Sequence, residues 1–255
     1  MRPFLAGMRL EVWMVRANPD TLIPFFTAPL FTIIFLTIVR HGGRHDLQPD
    51  ALMAPVLMTL WWFAVFHGGI LVTGDRWQGM LEWILAAPAS FAVVVLGRIA
   101  TIMLFGSLGF FEVWAVGRFG FGVAIAFDHP LALALTLVVT LFAMAATSTL
   151  IAGLFVLTRN AFTFANSSSF PFYVLGGVFV PVAILPGWIQ PVTKIVFMSW
   201  SADLLRASLK PGAIHDAWGR LGMVLLIGAV TFFLGRLVLR YVLRRMRTSG
   251  ELATA

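Results

Sequence analysis

The residues in this chain that could do chemistry are few and mostly isolated. Asp75, Arg76 and Glu82 fall in one short segment, residues 75–88, which is broken at Gly79, ends at Pro88 and lies between two long apolar runs. Leu81, Ile84 and Leu85 recur there at helical spacing, so a short helix with charged edges and one apolar face is expected. Elsewhere His67 stands among Trp61, Trp62, Phe63 and Phe66, and Glu112 is the one acid set well inside an apolar run. No Ser/His/Asp or metal-ligand constellation appears. A phosphate-binding loop needs Gly-x-x-x-x-Gly-Lys-Ser/Thr, and neither Lys194 nor Lys210 follows a glycine. With no cysteine there is no thiol chemistry. The chain has no energy source of its own, so its work is expected to be driven by whatever docks on residues 75–88.

Several other polar groups admit two uses. Asn166, Ser167, Ser168 and Ser169 are consecutive and cover more than one helix face. They either hydrogen-bond between packed helices or line a translocation path. His67 is a packing residue or a proton carrier. Glu112 either snorkels to the interface or, held at mid-bilayer, would imply function, because a charge there is costly. Asp203 and Arg206, three apart, fit a helical salt bridge on an amphipathic helix near Trp188 and Trp200. His41, His45 and Asp46 could in principle bind a metal, but Gly42 and Gly43 favour a solvated turn.

The elements that must position these groups are apolar. Hydrophobic residues make up 60% and charged residues 11% of the 255, and mean hydropathy is +0.92. A soluble domain carries about 25% charged residues, so an all-α integral membrane protein without a soluble domain is expected. Six transmembrane helices are expected at about 21–39, 52–73, 91–116, 130–157, 163–182 and 217–240, on the rule that a crossing needs about 20 apolar residues. The charge-free run 160–193 is too long for one crossing and is divided by Pro181, Pro186 and Pro191. A re-entrant external segment is therefore expected at 184–210. Phe4, Leu5, Met8, Val12 and Val15 repeat at helical spacing, which suits an N-terminal interfacial helix over 3–17 or a frayed lead-in to the first span. Arg9, Glu11 and Arg16 interrupt that stretch, so it does not read as a cleavable signal. With both termini cytoplasmic, eleven basic residues lie inside against seven outside, in keeping with the positive-inside rule. The net charge of +7 flanks spans and forms no soluble patch, which points to anionic lipid headgroups and away from nucleic acid.

Two local patterns resemble the transmembrane permease subunit of type-2 ABC exporters, the ABC-2 family of drug, polysaccharide and lipid export. After its second span the family shows an acid, then Gly-Thr-Leu-Glu, then a proline. Here Asp75, Gly79, Leu81, Glu82 and Pro88 match, with Met80 in place of the threonine. The second pattern is Gly176-Gly177-Val178-Phe179-Val180-Pro181, then Leu185-Pro186-Gly187-Trp188-Ile189-Gln190, then Asp203-Leu204-Leu205-Arg206. It is similar to the end of the family's fifth span and its re-entrant external helices. Met198-Ser199-Trp200 stand where the family usually has Asn-Pro.

The resemblance implies one ABC-2 type transmembrane domain over 1–255, acting as a transport subunit and not as an enzyme. It implies that Asp75, Arg76, Gly79, Leu81, Glu82 and Pro88 form a coupling helix seated on a separate nucleotide-binding ATPase. ATP and magnesium then belong to that partner, with no catalytic, cofactor or metal site in this chain. It implies pairing with a second permease, a copy or a paralogue, and a pathway between second and fifth spans lined by Phe63, Phe66, His67, Asn166, Ser169 and Phe170. Pro181, Pro186, Trp188, Asp203 and Arg206 would shape the external re-entrant region. The implied role is export of a drug, antibiotic or lipid-like substrate across a bacterial cytoplasmic (inner) membrane, as in multidrug resistance. The competing reading, an ion-gradient-driven carrier or channel without an ATPase, would require more membrane-embedded ionisable residues than His67 and Glu112.

Overall fold

The computed structural model describes residues 2–44, 47–87, 90–123, 128–158 and 160–249, with side chains to Arg245. These residues form helices joined by turns, and no strand occurs among them. Helix α1 (Arg2–Ala17) stops at Asn18-Pro19, where the extended backbone of Asn18 and the missing N–H of Pro19 break the ladder. A 3₁₀ turn, Pro19–Leu22, then leads into α2 (Ile23–His41).

Helix α3 (Gln48–Trp62) passes through a π-helical turn, Phe63–Gly68, and resumes as α4 (Leu71–Trp77). At the end of α4 the Gly79 N–H donates to Arg76 O and the Met80 N–H to Asp75 O, with Gly79 at φ +66°. That is a Schellman cap, for which a residue without Cβ is favoured. It turns the chain into α5 (Leu81–Ala86). Helix α6 (Phe91–Ala115) ends in a π turn reaching Gly120, and α7 (Pro130–Val156) begins with proline at its first position. There follow α8 (Ala161–Leu175), the short α9 (Gln190–Thr193), α10 (Phe197–Ser208) and α11 (Ala217–Ser249).

Five helical runs among the described residues are long and apolar enough to cross a membrane: Pro19–His41, Gln48–Trp77, Phe91–Gly120, Pro130–Val156 and Ala217–Arg245. The span expected at 163–182 differs. Helix α8 stops at Leu175, because a second Schellman cap forms at Gly176-Gly177: Gly177 has φ +63° and donates to Val174 O, while Val178 donates to Tyr173 O. Its 15 residues reach only about 22 Å at helical rise against about 30 Å of hydrocarbon.

The core is centred on α3 and its π turn, where Leu57, Leu60, Trp61 and Phe63 are fully buried. Helix α11 lies outside and packs chiefly on α7. The approach is close, because a Cβ at Gly228 would press on Ala143 and one at Gly235 would lie 2.8 Å from the Leu150 nitrogen.

Candidate functional site

The strongest polar feature is a buried ion triad directly behind α5. Arg98, on α6, donates from Nε to Glu11 Oε2 of α1 at 2.7 Å and from Nη1 to Asp75 Oδ2 of α4 at 2.5 Å. All three residues are buried. The guanidinium fork suits this task, since its donors can hold two carboxylates in fixed directions at once.

Two glycines bring the triad together. A Cβ on Gly97 would lie 2.2 Å from the Phe4 carbonyl oxygen, and one on Gly7 would lie 2.3 Å from the Val94 carbonyl oxygen. Helices α1 and α6 therefore cross at backbone contact. Glu11 follows Gly7 by four residues, about one helical turn, and Arg98 follows Gly97 directly. Asp75 enters from the third side with both its groups in use: its backbone carbonyl closes the α4 cap while its side chain meets Arg98. The turn that launches α5 is thus bolted to α1 and α6.

One cation and two carboxylates leave a net charge of −1. Burial pushes the Glu11 carboxyl above its ordinary value of 4.5, against the attraction of Arg98, and the Asp75 charge adds to the rise. Asp75 Oδ1 has no hydrogen-bond partner. A cavity of about 150 Å³ beside the triad is lined by Glu11, Asp75 and Arg98 and also by His67, whose Nδ1 is buried without a partner.

The structure shows which way the apolar face of the 75–88 segment turns. Leu81 is buried, Ile84 and Leu85 are half-buried against the core, and Asp75 points inward to Arg98. The apolar side of α5 is consumed in attaching it to the bundle. What faces outward is Gly79, Glu82 and Trp83, together with Trp77 and Gln78 of the preceding turn, while Arg76 is half-buried. Trp83 is 81% and Trp77 62% exposed, a large aromatic area to leave open beside an acid. Pro88 lies outside the described residues.

The six residues expected along a pathway divide. Asn166 and Phe170 are on an exposed face of α8, and Phe66 and His67 are half-buried. Phe63 is fully buried against Gly106 and Phe25, and Ser169 Oγ is buried, accepting from Trp61 Nε1 at 3.2 Å and donating to Ala165 O. These two hold helices together within the chain. Asn166 Nδ2 donates back to Phe162 O of its own helix.

In the 184–210 region Arg206 is buried, and its Nη2 donates to Gly177 O at 2.7 Å and Val178 O at 2.9 Å. Its expected ion-pair partner, Asp203, is 4.0 Å away and 43% exposed. Its strong contacts are the carbonyls at the α8 cap, so α10 is tied to the point where α8 ends. Pro181 is half-buried, whereas Pro186 and Trp188 are exposed. Glu112 Oε2 is buried without a hydrogen-bond partner. His41 Nδ1 lies 2.9 Å from Thr37 O, and His45 and Asp46 fall outside the described residues. Among the described residues no cluster of three metal ligands occurs.

In the sequence Glu11 marks only a break in an apolar stretch, and no periodicity there joins it to Arg98. The signal that pairs them is a charge beside a glycine in each of two helices, Gly7-x-x-x-Glu11 and Gly97-Arg98.

The family model for the ABC-2 type transporter matches residues 6–209, a stretch that contains the triad, α5, the α8 cap and Arg206. No curated protein matches the chain.

Proposed function

The chain belongs to the ABC-2 type transporter family as a multi-pass membrane permease, and from that premise we propose that it is the membrane half of an ATP-driven exporter of a hydrophobic or amphipathic substrate. The observation that carries this reading is the build of α5. Its outer edge, Glu82 and Trp83 beside Trp77, is open to a partner, while Leu81 on its inner edge is buried and its launching turn is tied by Asp75 to Arg98 of α6 and through it to Glu11 of α1. A push on such a lever moves three helices as one body. The partner that pushes is a nucleotide-binding ATPase carrying ATP and magnesium.

On this reading residues 1–255 form one transmembrane domain. The short α8 and the capped segment after it complete a sixth, partly irregular crossing, and both termini face the cytoplasm of a bacterial cell beneath its inner membrane. Irregular backbone at that depth must be covered by protein or line a wet cavity. The exposed α8 face with Phe162, Phe164, Asn166 and Phe170 is covered by a second permease, identical or paralogous, and the substrate passes between them. The many apolar residues that such a path offers suit a drug, an antibiotic or a lipid-like molecule.

The test is to purify the chain with its candidate ATPase and to assay ATP hydrolysis and transport for the parent and for Glu82→Arg. The expected result is a stable complex whose transport the substitution uncouples from hydrolysis or abolishes. Failure to associate with any ATPase would overturn the proposal and turn attention to gradient-driven transport through His67 and Glu112.

A further inference from the structure

A second site shares no residue with the triad or α5: where α6, α7 and α11 meet they leave a groove of about 620 Å³. That volume is in the roughly 300–1,000 Å³ range of small-molecule sites. Its two halves differ in chemistry. Phe91, Val93 and Leu96 of α6, with Phe232 and Leu239 of α11, make an apolar wall, and Arg236, Arg240 and Arg244 of α11 make a basic rim. The lining includes no acidic side chain.

The arginines sit four residues apart, so they share one helix face. Like charges at this spacing repel, and the arrangement becomes favourable when an anion lies between Arg236 and Arg240. Both are exposed at the groove. Depth supplies the second argument. Trp218, 75% exposed near the start of α11, is an interfacial anchor by residue type. Arg236 follows it by eighteen residues, about 27 Å at helical rise, which matches the roughly 30 Å hydrocarbon thickness. Arg236 therefore lies at the level of lipid phosphates, with Arg240 about 6 Å farther out and the apolar wall reaching back toward the acyl chains.

We infer that this groove binds one anionic phospholipid per chain, with its phosphodiester between Arg236 and Arg240 and its acyl chains along Phe232 and the apolar start of α6. Basic pockets between transmembrane helices at a membrane face bind anionic headgroups by this chemistry. The lipid bridges α11 to the α6 end that carries Arg98, so its occupancy braces the same end of the bundle as the triad.

The test uses the full chain in a neutral detergent, titrated with phosphatidylglycerol, phosphatidylcholine or inorganic phosphate and read by native mass spectrometry. Saturable retention of one phosphatidylglycerol per chain, with phosphatidylcholine retained far less, is expected. Arg236→Gln/Arg240→Gln should weaken phosphatidylglycerol binding about thirtyfold, from about 1 kcal/mol per basic residue at a headgroup, and Arg236→Lys/Arg240→Lys should restore most of it. Equal retention of phosphatidylcholine, or unchanged affinity in the Gln variant, would overturn the inference. Full competition by inorganic phosphate would also overturn it by reducing the site to a free-anion site. If the Gln variant does not fold, the parent's preference between the two lipids still decides.

Discussion

Replacing Arg98 with methionine is the sharpest perturbation of the lever. The change keeps side-chain bulk and removes the one cation that holds Glu11 and Asp75, leaving two buried carboxylates facing each other without a counter-charge. Breaking a buried ion pair from one side costs roughly 3–5 kcal/mol. For a chain of this size that corresponds to a drop of about 6–20 °C in melting temperature, at roughly 2–4 °C per kcal/mol. The nine tryptophans provide the signal for an intrinsic-fluorescence melt of the purified protein. A control separates charge from packing: Glu11→Leu/Arg98→Met/Asp75→Leu removes all three charges, and apolar replacement of a whole buried ion cluster is often neutral or stabilising. The triple variant should melt near the parent, yet lose coupling between hydrolysis and transport because apolar contacts can slide where a fork of hydrogen bonds cannot. An Arg98→Met protein that melts within about 2 °C of the parent, below the low end of that range, would refute the reasoning.

Two further outcomes follow from the same geometry. Glu11 has its carboxyl raised above 4.5 by burial, so the folded protein takes up a proton at a higher pH than the unfolded chain. Its contribution to stability is therefore fully present below pH 4.5 and is lost as pH rises through the folded value. Acidification from neutral pH toward 4.5 should raise the parent's melting temperature relative to Glu11→Gln, and parallel pH curves for the two proteins would contradict this. Gly97→Val places a branched side chain where even a Cβ would lie 2.2 Å from the Phe4 carbonyl oxygen. Backbone cannot yield there, so α1 must lift from α6 at an overpacking cost of about 1–3 kcal/mol. Tryptic cleavage at Arg9 and Arg16 should accelerate, and it should not in Gly74→Ala, where a Cβ meets nothing within 4 Å.

The helical class, the ends of most long apolar helices and the position of the α4–α5 turn were legible because each is written locally. Apolar runs, Asn18-Pro19 and Gly79 act on the residues beside them. The length of α8 was not, because the charge-free sequence continues past Leu175 and hydropathy alone sees no reason to stop. The stop is conformational: the Gly176-Gly177 cap, held from a distance by Arg206, which is 29 residues beyond Gly177. The facing of α5 is not legible in the sequence for a related reason. An apolar stripe on Leu81, Ile84 and Leu85 fits a partner's groove or its own bundle equally well, and burial of Leu81 assigns it to the bundle.

The triad is the extreme case, with Glu11 separated from Arg98 by 87 residues and Arg98 from Asp75 by 23. Each charge alone reads as an interruption of an apolar helix, and no periodicity joins them. They become one site because Gly7 and Gly97 let two backbones touch, which places each charge near its partner. Without Arg98 the two acids would be a burial cost at the base of α5. With it they fix the turn from which α5 is launched. In a chain this apolar, such a site can be found by asking which charges stand beside a helix glycine, because close backbone approach is what makes burying them possible.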